Sequence, residues 1–95
     1  MKIEERSEGA AIIISPAGRL DAAGASVLEA RIAAVAKAAP GRLVLDCREV
    51  AYISSAGLRA LLLGARACLQ IGCEFSVAAL RPDCRSILDA TGLLM

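Results

Sequence analysis

The sequence predicts a small α/β domain with a mostly parallel sheet. Short aliphatic or β-branched runs alternate with longer segments in which apolar residues recur every three or four positions. Strands that alternate with helices in this way are typical of parallel sheets, and two consecutive strands at the N-terminus add an antiparallel hairpin. The 95 residues suffice for a single domain, residues 1–95. The expected order is β-β-α-β-α-β-α.

The N-terminal hairpin is predicted from two strand-like runs and a turn. A weak alternation over residues 2–7, a turn at Glu8-Gly9 and a β-branched run within residues 10–17 predict its parts. Pro16 and Gly18 are expected to end the second strand.

The first helix is predicted to begin after Asp21. This carboxylate is a candidate N-cap, because it can accept a hydrogen bond from a free backbone N–H group. The helix is expected over residues 22–39 and is stopped by Pro40-Gly41. The apolar run Leu43-Val44-Leu45 then predicts a short central strand.

The second helix is predicted over residues 56–70, capped by Ser54 or Ser55. Its apolar stripe is expected to comprise Leu58, Leu61, Leu62, Ala65 and Leu69. A strand over residues 74–79 follows, and a last helix is expected to begin at Pro82 and to end at Gly92.

Composition excludes several classes of function. Formal net charge is +1 with acids and bases interspersed, and only 2% of residues are aromatic, so nucleic acid is not an expected partner. No run of about 18 apolar residues is present, so membrane insertion is not expected. Residues 1–8 lack the apolar stretch of a signal peptide, and we expect a cytoplasmic protein.

The side chains offer little for catalysis or for a metal. No histidine is present and no cysteine pair has C-x-x-C spacing, so no metal site, His-dependent triad or cofactor is expected. The four cysteines are expected to be reduced and packed. Asp21 and Asp46 each follow a strand end and could meet near the serines, where two carboxylates would suit acid–base or Mg²⁺ chemistry. Capping and a surface turn are the alternative, and the chain is not expected to be an enzyme.

The run from Tyr52 to Arg59 is the most informative segment. Ser54 and Ser55 stand where a turn gives way to the second helix, and Ala56 and Gly57 leave both hydroxyls uncrowded. A helix N-terminus presents free N–H groups and a positive dipole end, so it accommodates a phosphate. Phosphorylation of Ser55 would add roughly −1.5 to −2 charges and would penalise a partner that had buried the neutral hydroxyl. The alternative is that the two serines only cap the helix.

Four segments together carry a resemblance to a known family. They are Gly18-Arg19-Leu20-Asp21, Leu43-Val44-Leu45-Asp46, the run from Val50 to Arg59, and Thr91-Gly92-Leu93. In this order and spacing they strongly resemble the STAS domain of bacterial anti-sigma factor antagonists. The resemblance implies a small mixed sheet with helices packed mainly on one face.

The resemblance also implies partner switching. The unphosphorylated domain would bind an anti-sigma factor that is a serine kinase and so free the sigma factor for transcription. The kinase would phosphorylate the domain at the position of Ser55, the complex would separate, and a serine phosphatase would reset it. The best-studied members have Asp where this chain has Ser54, which makes Ser54 a second candidate acceptor.

The surface that the resemblance implies for the partner joins the serine turn to the outer side of the second helix. It comprises Asp21, Ser54, Ser55, Ala56, Gly57, Arg59, Leu63 and Arg66. Leu63 has a second interpretation, as a flank of the core. Because the family usually continues beyond Thr-Gly-Leu, we expect either a short form of the domain or the lack of the usual C-terminal element.

Two other functions remain open from the sequence. A STAS domain can be a fixed scaffold, either a subunit of a lipid-transport ABC complex or a part of a stress-signalling assembly. A nucleotide-binding regulatory module is the other alternative, since the positive helix start could hold a nucleotide phosphate.

Overall fold

A computed structural model describes residues 1–82 and 84–85. It contains five strands and two helices: β1 (Lys2–Glu8), β2 (Ala11–Leu20), α1 (Ala22–Ala36), β3 (Arg42–Asp46), β4 (Glu49–Ile53), α2 (Ser55–Gln70) and β5 (Glu74–Ala78). This confirms the predicted mixed α/β class with its N-terminal hairpin. Of the helix predicted after Pro82, the described residues Pro82, Cys84 and Arg85 are helical, and the rest, with Thr91-Gly92-Leu93, lies outside the described residues.

The sheet is built around β2. Strand β1 pairs antiparallel with it, from Lys2 opposite Ala17 to Glu8 opposite Ala11. On the other edge β3 runs parallel to β2, and β5 runs parallel to β3 at the outside of the sheet. Helices α1 and α2 contact each other and pack on the sheet, so the core lies between the helix pair and the strands.

Strand β4 was missed by the sequence prediction. It pairs parallel with the end of β2, and Ala17 is opposite both Lys2 of β1 and Glu49 of β4. Strands β3 and β4 therefore pair with the same edge of β2, and β4 lies nearer the carboxyl end of β2. The prediction failed because the pairing partner of β4, residues 17–20 of β2, was expected to lie past the end of a strand.

Strand β2 continues through Pro16 and Gly18, which were expected to end it. Pro16 is buried opposite Ile3 of β1. Gly18 has φ 110°, and the register with β4 shifts between Gly18 and Arg19. The extra residue of this irregularity is Ala51 of β4, which has no partner in β2. Glycine adopts positive φ at low cost, so β2 continues through Gly18 to Leu20, where both helix starts lie.

The buried face of helix α2 agrees with the predicted stripe only in part: Leu61 is buried and Leu58 packs half-buried against the core. Its buried residues are Gly57, Ala60, Leu61, Gly64 and Cys68. Leu62 and Leu69 are 42% and 81% exposed. Small residues are needed on the inner face because the neighbours approach closely: a Cβ on Gly64 would lie 3.1 Å from Cδ1 of Ile32 in α1. The prediction had selected the largest side chains rather than those that permit this approach. Helix α1 ends at Ala36, three residues before its predicted end at Ala39, whose φ is 49°.

The four cysteines are buried and unbridged. Burial, with a smaller contribution from the charge of Asp46, raises the pKa of Cys47 to about 12. Burial and a hydrogen bond with Cys73 raise the pKa of Cys68 to about 12. In the described part of the chain, neither helix is long and apolar enough to cross a membrane.

Candidate functional site at the serine turn

The starts of both helices meet at the carboxyl ends of β2 and β4. Leu20 and Ile53 are the last residue pair of these two strands. Asp21 follows Leu20 and begins α1, while Ser54 follows Ile53 and begins α2. Because neighbouring strands lie about 4.8 Å apart, the two capping residues emerge side by side from one edge of the sheet.

Ser54 is tied to the protein by its hydroxyl. Its Oγ accepts a hydrogen bond from Gly57 N at 3.1 Å and donates one to Leu20 O at 3.1 Å. Its backbone N donates to the same Leu20 oxygen at 3.0 Å. Ser54 is therefore the N-cap of α2 and also links that helix to the end of β2.

Ser55 is exposed at the first position of α2. Within the described residues its hydroxyl forms no hydrogen bond. It stands at the helix end that carries free N–H groups and the positive end of the dipole. The two adjacent serines thus differ: one hydroxyl is used by the fold and the other is accessible.

Two glycines allow the helices to approach the end of β2. A Cβ on Gly57 would collide with the carbonyl oxygen of Leu20 and lie 2.7 Å from Leu20 Cγ. A Cβ on Gly24 would lie 2.6 Å from the carbonyl oxygen of Arg19. Gly57, one of the predicted partner-binding residues, is buried, and its place in the site is to permit this contact.

Asp21 caps α1 as predicted, and its carboxylate also lies beside the guanidinium of Arg19. Its Oδ1 accepts from Gly24 N at 3.1 Å, and its Oδ2 lies 4.0 Å from Arg19 Nε. The guanidinium carbon of Arg19 lies 4.2 Å from the centre of the Tyr52 ring. A role for Arg19 or Tyr52 could not be predicted from the sequence, because their contact depends on the pairing of β2 with β4.

The outer side of α2 carries the remaining predicted residues. Arg59 and Arg66 are exposed, and neither forms an ion pair within the described part of the chain. Leu63 is 40% exposed. A depression of about 330 Å³ between α1 and α2 is lined by Ala56, Arg59 and Leu63 and by residues of α1. Leu63 also lines an adjoining groove of about 200 Å³ between the same helices.

Asp46 does not join Asp21 at the serine turn, contrary to the sequence-based expectation. Leu45 is opposite Ile14, whereas Ile53 is opposite Leu20. Asp46 is therefore level with Ser15, five residues before Leu20, which is a distance of roughly 16 Å along β2 at about 3.3 Å per residue. Its Oδ1 accepts from Arg48 Nε at 3.1 Å. No cluster of three or more potential metal ligands occurs among the described residues.

These features define an α/β domain that displays one free serine hydroxyl at a junction of strand and helix. The family model described as "Mlab, STAS domain" matches residues 3–94. The chain therefore belongs to the STAS domain family, as its motifs predicted.

The chain is similar in sequence to one curated protein described here and similar in fold to two solved structures. The chain is 39% identical over 77 residues to BtrV of Bordetella bronchiseptica, which is named as an anti-sigma factor antagonist; the match covers 81% of this chain and 66% of BtrV, just under two thirds. The fold is similar to the crystal structure of an anti-sigma factor antagonist from Mycobacterium paratuberculosis, with a TM-score of 0.86 and 28% identity, covering 97% of this chain and 78% of that one. The phosphorylated form of the Bacillus cell fate determinant SpoIIAA has the same fold, with a TM-score of 0.79 at 17% identity, covering 97% and 85% of the two chains.

Proposed function

We propose that this chain is a non-enzymatic anti-sigma factor antagonist of the cytoplasm, switched by phosphorylation of Ser55. Unmodified, it binds an anti-sigma factor that is a serine kinase and so releases a sigma factor for transcription. Phosphorylation by that kinase ends the interaction, and a serine phosphatase restores it. The observation that carries this proposal is the exposed hydroxyl of Ser55 at the first position of α2, which forms no hydrogen bond with residues 1–82 or 84–85. The names of the relatives support the same role.

Ser55 is favoured over Ser54 as the acceptor by their hydrogen bonds. A kinase can reach the Ser55 hydroxyl without breaking a contact of the fold. Phosphorylation of Ser54 would remove the donor to Leu20 O and disturb the bond from Gly57 N. A phosphate on Ser54 would also bring negative charge beside the Leu20 carbonyl oxygen, so it would weaken the link between α2 and the end of β2.

The switch would act on binding rather than on the fold. A phosphate on Ser55 is stabilised by the positive end of α2. The partner, in contrast, meets roughly −1.5 to −2 charges where it had met a neutral hydroxyl. A mismatch of several kcal/mol is expected for such a contact, and each 1.4 kcal/mol changes affinity about tenfold.

The partner would contact both helix starts and the outer side of α2. Asp21, Ser54 and Ser55 form the part of this surface beside the sheet edge, and Ala56 lines the depression between the helices. Leu63 offers an apolar contact between Arg59 and Arg66 at the rim. Exposed apolar and arginine side chains in this arrangement suit a protein partner.

The test is intact-mass analysis after incubation with ATP and the candidate serine kinases of the same genome. Wild-type chain should gain 80 Da, Ser54→Ala should gain it as well, and Ser55→Ala should not. Ser55→Ala should still bind the kinase in a pull-down. A mass gain that persists in Ser55→Ala, or no gain with any kinase, would contradict the proposal.

A pull-down of wild-type chain separates this function from the alternatives. Recovery of a small serine kinase agrees with the switch, whereas recovery of a transporter ATPase subunit would assign the scaffold role. Calorimetric titration with ATP and GTP tests the nucleotide-binding role. That role requires a measurable heat of binding at millimolar nucleotide concentration.

A further inference from the structure

Arg59 lies one helical turn after Ser55, and no ion pair joins it to the part of the chain that the structure describes. Both residues are exposed on α2, at positions i and i+4. Side chains at this spacing are neighbours on a helix surface, with Cβ atoms about 5–6 Å apart. Within the described residues no carboxylate lies within 4.0 Å of the Arg59 guanidinium.

The direction of the side chain also favours Ser55. In an α-helix the Cα–Cβ bond tilts toward the N-terminus, so a long side chain covers the turn before its own Cα. Consistent with this, Arg59 lines the same depression as Ala56 of α2 and Ala22 of α1, which belong to the first turns of the two helices.

We propose that Arg59 binds the phosphate of phosphorylated Ser55 within the same chain. The proposal rests on the proposed function, because it takes Ser55 as the acceptor. A guanidinium offers paired N–H donors that match phosphate oxygens, and an anion that precedes a cation by four residues is the favourable order on a helix. Phosphorylation would then act twice on the docking surface: it adds a dianion, and it withdraws Arg59 from the partner.

Other charged groups near the serine turn are less suited to bind the phosphate. Asp21 and Glu29 of α1 are anionic, and Glu29 lines the depression beside Arg59. Arg19 of β2 is already held between Asp21 and the Tyr52 ring. Arg66 is exposed on α2, but it stands eleven positions after Ser55, about 16 Å along the helix axis. Arg66 is therefore the matched control for Arg59.

The experiment uses the whole chain with phosphoserine introduced at position 55 during synthesis, so that no kinase is needed. The second pKa of the phosphate is measured by ³¹P NMR titration in wild-type, Arg59→Gln and Arg66→Gln chains at an ionic strength of about 0.15 M, where the Debye length is about 8 Å. An adjacent guanidinium favours the dianion, so Arg59→Gln should raise this pKa by about 0.3 units, a twofold change in the protonation equilibrium. Arg66→Gln should change it by less than about 0.1 unit, because the guanidinium is more than a Debye length away. Circular dichroism of each chain confirms that it is folded.

A second readout follows the arginine itself. In the wild-type chain, phosphoserine should shift the Arg59 Nε–Hε resonance relative to the serine form and leave that of Arg66 in place. Equal phosphate pKa values in all three chains, equal shifts in the two variants, or an unmoved Arg59 resonance would overturn the proposal. The proposed function has its own test, and it fails if no kinase modifies Ser55. That outcome leaves the titration result valid, because the phosphoserine is introduced without a kinase.

Discussion

Single replacements of Ser54 and Ser55 by alanine should change the free energy of unfolding differently, because the Ser54 hydroxyl is bonded within the fold and the Ser55 hydroxyl is accessible. Ser54→Ala removes the bond accepted from Gly57 N and the bond donated to Leu20 O, each 3.1 Å long. Loss of an N-cap costs about 1 kcal/mol, and loss of a further hydrogen bond about 0.5–1 kcal/mol. Leu20 O keeps its bond from Ser54 N, so no buried acceptor is left unpaired. We expect a loss of about 2 kcal/mol in the free energy of unfolding.

Ser55→Ala should have almost no effect on stability. The hydroxyl is exposed and forms no hydrogen bond in the described part of the chain, and alanine is a better helix former than serine. The free energy of unfolding should stay within about 0.5 kcal/mol of wild type.

The assay is urea unfolding at pH 7 followed by far-UV circular dichroism, with equal m-values as the condition for comparison. For a domain of this size a loss of 2 kcal/mol corresponds to a fall in melting temperature of roughly 8–16 °C, which gives an independent check. If Ser55→Ala loses as much as Ser54→Ala, or if Ser54→Ala loses nothing, the division of roles between the two serines is wrong.

Three further predictions concern the packing around the site and the buried thiols. Gly57→Ala should cost about 3 kcal/mol, because its Cβ would meet the Leu20 carbonyl oxygen. Gly64→Ala should stay within about 1 kcal/mol, because its Cβ would meet only side-chain atoms, of Ile32 and Phe75, and alanine gains helix propensity. Urea unfolding of both variants checks this difference. Asp21→Ala should lose about 1 kcal/mol of unfolding free energy, and Asp21→Asn much less, since an amide oxygen can still accept from Gly24 N. Equal losses in the same assay would show that this accepted hydrogen bond contributes nothing. Stability should fall as pH rises from 9 toward 12, because the unfolded chain loses the Cys68 proton near pH 9 while burial holds the folded pKa at about 12. Cys68→Ala should make this fall shallower by about 1.4 kcal/mol per pH unit when unfolding is measured at pH 8, 10 and 11, and an unchanged slope would exclude the effect.

The helix starts could be predicted from the sequence because capping is local chemistry. The Asp21 carboxylate and the Ser54 hydroxyl each bond to a backbone N–H group three residues ahead, so a short stretch of sequence contains the whole interaction. The hairpin and the strand β3 were predicted for the same reason, from runs of adjacent residues.

The pairing of β4 with β2 could not be predicted in this way. It joins residues about thirty positions apart, and it requires β2 to continue through Gly18, at positive φ, where the end of the strand was expected. The same omission explains two errors at the site. Asp46 was expected beside the serines, although β4 separates them, and the contact of Arg19 with Tyr52 was not anticipated.

The buried face of α2 depends on its neighbours rather than on its own periodicity. At Gly57 the Leu20 carbonyl leaves no room for a Cβ, and at Gly64 the Ile32 side chain leaves little room, so both positions of the inner face suit small residues. The large side chains Leu62 and Leu69 then remain exposed on the outer side. A pattern of large apolar residues therefore located the helix and the buried Leu61 correctly, but it wrongly placed Leu62 and Leu69 on the inner face.

The most direct measurement of the switch is the affinity of the cognate kinase for two forms of this chain, one with serine and one with phosphoserine at position 55. Isothermal calorimetry should show binding of the serine form and a loss of at least about 100-fold for the phosphoserine form, which corresponds to roughly 3 kcal/mol. The two forms should have melting temperatures within a few degrees of each other. Equal affinities, or a phosphoserine form that is unfolded, would contradict the account.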